Sequence, residues 1–191
     1  MEISRVHPDL DGLKALAHPT RLRILTLLRI DGPATATTLA NRLDMNTGAT
    51  SYHLRHLARH GFVVEDAERG NARDRWWKAA HNSTWTKDSD FTDPEGRETL
   101  DAFLQAAVVN QARALQAAME ERTLLSDIWR HASTFSEWTY RLTPERAREL
   151  VERITAVFED FDDMDAAGAV PFQLQYAGFP VPGHLALDPE T

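Results

Sequence analysis

The chain has 191 residues, no cysteine, and a formal net charge of −8 from 29 Asp/Glu against 21 Lys/Arg. The missing thiols exclude disulfides and thiolate metal sites, and no run of about eighteen apolar residues offers a membrane span. The charge is uneven: residues 1–83 hold 12 Lys/Arg against 9 Asp/Glu, net +3, whereas residues 84–191 hold 9 against 20, net −11.

The opening MEISRVHPDLDG carries no apolar stretch, so no signal peptide is expected. Residues 9–18 place Leu10, Leu13, Leu16 and Ala17 on one helical face, weakened by Gly12. Pro19 ends that helix and opens a second, which runs through RLRILTLLRI to Asp31-Gly32-Pro33. It is apolar almost all round and is expected at the centre. A short helix over 37–43 buries Leu39, Ala40 and Leu43, and a fourth, capped by Asn46 or Thr47, runs to about His60. Gly61 stops it. Phe62, Val63 and Val64 then pair as a strand with RWWKAA across a charged turn at Gly70-Asn71.

After a spacer, Asp93-Pro94 opens a long helix with an apolar stripe of Leu100, Phe103, Leu104, Ala107, Val108, Leu115, Ala118 and Met119, broken by Gln111. A helical piece follows over 124–132. Trp138, Tyr140 and Leu142 alternate as in a strand; Thr143-Pro144 opens a helix; Phe172, Leu174 and Tyr176 alternate again. The tail from Pro180 is rich in proline. The expected fold is mainly α with a small β-hairpin (α+β). A winged helix-turn-helix domain takes 1–83 and a linker 84–93. A dimerisation and effector module over 94–180, built as a long helix plus a small α/β part, is followed by a loose tail, 181–191.

The fourth helix must bury Leu54 and Leu57, which leaves Thr47, Gly48, Ser51, Tyr52 and Arg55 outward at spacings of three and four. That face suits a major groove. Arg55 can fork onto guanine, Ser51 and Tyr52 can bond phosphate or base edge, and Gly48 presents no side chain to close approach. Asn46 and Thr47 stand at the helix N-terminus, where free N–H groups favour phosphate. The turn 66–75 carries Arg69, Arg73 and Arg75, a basic wing for the backbone or minor groove.

The runs LKALAHPTRLRILTLL, TLANRLDMNTGATSYHLRHLARHGFV and ERGNARDRWWKA together resemble the winged-helix regulators of the ArsR type over roughly residues 10–82. The resemblance rests on Ala17, Pro19, Arg21, Ile24 and Leu25, then Ser51, His53, Leu54, Leu57 and Gly61. It implies a cytoplasmic, nucleoid-associated homodimeric repressor on a dyad-symmetric double-stranded DNA operator, with Ser51 and His53 against DNA. Thr50 departs from the family's apolar residue and Asp44 from its glycine. The helix over 94–121 is expected to dimerise through Leu100, Phe103, Leu104, Ala107, Val108 and Leu115.

His53, His56 and His60 share one helical edge, but with no carboxylate beside them a surface role outweighs zinc. Asp127 with His131, and the acidic run EDFDDMD, read as solvated faces. No nucleophile elbow, phosphate loop or H-E-x-x-H is present, so neither an enzyme nor a cofactor is expected. Trp85, Trp129, Trp138, Phe103 and Phe172 raise a second reading, a small-molecule effector site in the C-terminal module. A third is a winged-helix protein-interaction module that no longer binds DNA.

Overall fold

Short polar side chains set the helix starts. In the computed structural model, which describes residues 4–69, 74–161 and 166–184, α1 (Leu10–Leu16) is capped by Asp9, whose side chain accepts the Gly12 N–H at 2.8 Å. Helix α2 (Pro19–Asp31) starts with proline in its first turn, α3 (Ala36–Leu43) is capped by Thr35, and α4 (Thr47–Arg59) by Asn46. The contacts divide the chain into 2–130 and 131–191.

In the first unit, β1 (Arg5–Val6) pairs in parallel with β5 (Ser83–Thr84). A three-stranded antiparallel sheet has the order β2 (Ala34–Thr35), β4 (Trp76–Ala79), β3 (Val63–Glu65). Its register sets Val63 opposite Ala79 and Ala34 opposite Trp77. The hairpin expected from the sequence is present, with a third strand added. The Gly70-Asn71 turn and Arg73 lie outside the described residues.

The core collects Leu13, Leu16, Ile24, Leu25, Leu39, Leu54, Leu57 and Phe62, each at most 1 % exposed. Gly12 earns its place in α1 by close approach: a Cβ there would stand 3.2 Å from the Phe62 ring. The α1–α2 corner is tied by Arg21, whose guanidinium donates to the carbonyls of Ala15 and, at 3.1 Å, Lys14, capping the end of α1. Arg29, deep in the unit, donates to the His81 carbonyl and the Thr84 hydroxyl, both at 2.9 Å, and burial pulls its pKa down to about 10.

Asp44 takes the left-handed conformation between α3 and α4, with φ 53°. Aspartate tolerates this better than most residues, and glycine better still. Asp44→Val is therefore expected to lower stability by about 1–2 kcal/mol while Asp44→Gly holds or raises it, read from thermal melts. Thr50, fully buried, satisfies its hydroxyl on the Asn46 carbonyl at 3.2 Å, which reconciles a polar residue with an apolar position.

Helix α5 (Pro94–Glu121) packs on α1 and α2. Asn110 donates to the Thr26 hydroxyl at 3.1 Å, and Lys14 pairs with Glu95 at 2.5 Å. The apolar stripe therefore splits. Leu100 and Phe103 are buried in the core of their own unit and Ala107 packs against it, whereas Leu104, Val108, Leu115 and Met119 remain exposed. The segment expected as a linker carries a 3-10 turn at Asp88–Asp90 and the buried Phe91. A short α6 (Asp127–Ala132) follows.

The second unit is built on α7 (Pro144–Glu159), capped by Thr143. Tyr176 lies along it, sharing a 3.1 Å hydrogen bond with Thr155 and packing on Phe158 at 5.4 Å between ring centroids. The strands expected around Trp138–Leu142 and Phe172–Tyr176 do not form: both stretches are irregular, and the α/β part is helix and coil. Alternation alone is insufficient, because a strand without a stable sheet to join loses its backbone hydrogen bonds.

Candidate nucleic-acid interface

Helix α4 presents two unlike faces. Leu54 and Leu57 are buried, while Asn46, Thr47, Gly48 and Arg55 are exposed, Tyr52 is 52 % exposed and Ser51 is partly so. Asn46 spends its side chain on the cap, accepting the Ala49 N–H at 2.8 Å. Arg55 has no ion-pair partner among the described residues, so its guanidinium is available to an incoming acceptor.

The wing stands beside this face. Arg75 pairs with Glu65 at 3.2 Å and covers the Trp77 ring at 5.7 Å; Arg69 pairs with Asp66 at 3.7 Å. Both arginine side chains are about 60 % exposed. The Arg75–Glu65 pair, exposed on both sides, is worth about 0–1 kcal/mol, so phosphate can displace that carboxylate at little cost. Asp66 itself is buried at the base of the wing and also meets Lys78 at 3.4 Å.

Between α4, the wing and the start of α3 lies an open cleft of about 400 Å³, lined by Thr35, Thr37, Thr47, Ser51, Arg55, Asp74 and Arg75 with Trp77 behind. The cleft adds Thr35 and Thr37 to the residues read from the sequence. Their signal in the sequence is the threonine run before Leu39. Hydroxyls, two guanidiniums and two helix N-termini in one concave surface suit a phosphate backbone.

His53 is placed differently from the expectation of DNA contact. It is 9 % exposed, turned from the reading face toward His18, with ring centroids 4.8 Å apart. His56 and His60 stack at 5.0 Å along the edge. Burial, with Arg21 contributing, holds His53 and His56 below the ordinary histidine pKa. Among the described residues no three of His, Asp and Glu are grouped to hold a metal ion. Of the aromatic residues of the effector reading, Phe103 lies in the core of the first unit, and Trp138 and Phe172 are exposed in the second.

Residues 16–66 match the model of a helix-turn-helix domain. The "HTH-type transcriptional regulator NmtR" of Mycobacterium tuberculosis is 50% identical over 54 residues, 28% of this chain and 44% of that protein. Over this segment the chain is similar to helix-turn-helix transcription regulators. The chain spans less than half the length of that curated relative. Two solved structures are also similar to part of this chain. A "possible transcriptional regulator for arsenical resistance" is 29% identical over 56% of this chain and 94% of its own, with a TM-score of 0.33. HlyU from Vibrio cholerae N16961 is 27% identical over 47% and 79%, with a TM-score of 0.31.

Proposed function

We propose that the protein is a sequence-specific DNA-binding transcription regulator, a homodimeric repressor on a dyad-symmetric operator in the cytoplasmic nucleoid. The observation that carries this is the outward set Thr47, Gly48, Ser51, Tyr52 and Arg55 on α4, of which Thr47, Ser51 and Arg55 line a cleft shared with Arg75 of the wing. Arg55 reads guanine, Ser51 and Tyr52 bond base edge or phosphate, Gly48 admits close approach, and Asn46 and Thr47 offer the helix N-terminus to phosphate. Arg69, Arg73 and Arg75 of the wing hold the backbone, and His53 supports α4 from behind. Leu104, Val108 and Leu115 on α5 form the contact between copies. Among the described residues no helix is long and apolar enough to cross a membrane.

Fluorescence polarisation against promoter fragments tests the reading. Arg55→Ala is expected to weaken binding by about 1–3 kcal/mol with an unchanged thermal melt, and to relax the base preference at one position. Affinity should fall linearly with salt on logarithmic axes, by a slope of about one per phosphate engaged. Full affinity in Arg55→Ala, with a flat salt response, would remove the assignment. The acidic balance of residues 84–191, net −11, favours one alternative, an interaction module that has left DNA behind. Failure of the wild-type chain to bind any fragment would select it.

A further inference from the structure

His18 does two jobs at the corner between α1 and α2. It is the N-cap of α2, its Nδ1 accepting the Thr20 N–H at 3.2 Å, and its ring lies against His53 of the recognition helix α4. The capping bond needs a lone pair on Nδ1, so it exists only while His18 is neutral there. His53 is buried, and its Nδ1 has no hydrogen-bond partner among the described residues. The groups that face this pair are Arg21 of α2 and, on α4, His56 and Tyr52, the tyrosine ring 5.6 Å from His53. Beyond His56 stand His60 and Arg59. These neighbours are cationic or neutral; among the described residues no carboxylate faces the pair.

We propose that His18 and His53 are positioning residues that seat the recognition helix on α2, and that a proton taken up by either ring unseats it. The inference rests on the DNA-binding reading above. A proton on Nδ1 of His18 replaces an acceptor with a donor, so the Thr20 N–H loses its partner, and places a cation against Arg21 and His53. The adjoining stretch of α4 holds Ser51, Tyr52 and Arg55, so a change in seating is felt directly on the reading face.

The pH window follows from burial, the main cause, which with the nearby charges lowers the pKa of His18, His53 and His56 from 6.5. A histidine whose folded value lies below its unfolded value contributes fully above about pH 6.5. That contribution is lost as pH falls from there through the folded value, because the unfolded chain binds the proton first. Acid is therefore the damaging direction.

The wild-type protein is expected to lose at least about tenfold in operator affinity between pH 7.5 and 5.5 at fixed salt, where 1.4 kcal/mol corresponds to tenfold. His18→Asn keeps a capping oxygen and His53→Gln keeps bulk, but neither titrates, so each should flatten the profile. His56 and His60 are present in all three proteins and cancel in the comparison. Profiles parallel to wild type in both variants would overturn the proposal. A second measurement needs no DNA. The backbone amide resonances of Ser51, Tyr52 and Arg55 should shift with the His18 titration in the free protein, and cease to do so in His18→Asn. Amides that ignore that titration overturn the seating role, whatever becomes of DNA binding; a wild-type chain that binds no fragment at any pH defeats only the functional reading beneath it.

Discussion

Replacing Leu104 and Val108 together with aspartate is expected to convert the protein to a monomer and weaken operator binding by about a hundredfold or more. The four residues Leu104, Val108, Leu115 and Met119 are 40–58 % exposed and recur along α5 at intervals of four, seven and four, which keeps them on one side of the helix. Fully burying such a side chain yields about 1.5–3 kcal/mol, so covering the exposed half of four from each copy yields about 6–12 kcal/mol. Association costs about 4–15 kcal/mol in lost freedom and side-chain ordering. The two ranges overlap, so the interface has little reserve, and two buried carboxylates are enough to remove it. If α5 pairs with a second copy, Gln111, half-buried in the same stripe, would fix register between copies more than add stability.

The consequence for DNA follows from geometry. A dyad operator offers two half-sites about 34 Å apart, and a second recognition helix tethered to the first gains an effective concentration worth about 10²–10⁴ in affinity. A monomer keeps the phosphate contacts of one half-site and loses that gain. Light scattering and polarisation on one sample read both effects. A double variant that stays dimeric would move the interface off this face of α5, and one that becomes monomeric yet binds as before would refute the bivalent mode.

The sequence was most legible where local chemistry and tertiary demand agreed. Asn46 and Asp93 cap the helices their positions suggested, and the apolar spacing of Leu39, Leu43, Leu54 and Leu57 is the packing of α3 on α4. Strands β1, β2 and β5 span two residues each, too short to leave a period. The surroundings of His53 are set by His18, thirty-five positions earlier, and not by the spacing of α4, so they leave no local signal. The stripe on α5 was read as one surface because periodicity gives the width of an apolar face without naming what covers it. In the second unit Trp138 and Phe172 alternate convincingly with polar neighbours, yet no sheet stands ready to receive them.

Leu54 and Arg55 are adjacent in sequence and should fail in opposite ways. Leu54 is fully buried beneath α4. Truncation to alanine removes buried methyl groups and leaves a cavity, a loss of about 2–5 kcal/mol. Against a total stability of about 5–15 kcal/mol, that consumes a large share, and a fall of roughly 10 °C in melting temperature is expected. Below its lowered melting point Leu54→Ala should still bind the operator within a few-fold of wild type, since the outward set Ser51, Tyr52 and Arg55 is unchanged. Arg55→Ala should melt normally and bind poorly. The contrast separates the two faces of one helix: a stable Leu54→Ala would mean that α4 is seated elsewhere, and a wild-type melt combined with lost affinity in Leu54→Ala would place Leu54 on the reading face. The crossed result needs both measurements on both variants, because either assay alone reports a damaged protein in each case.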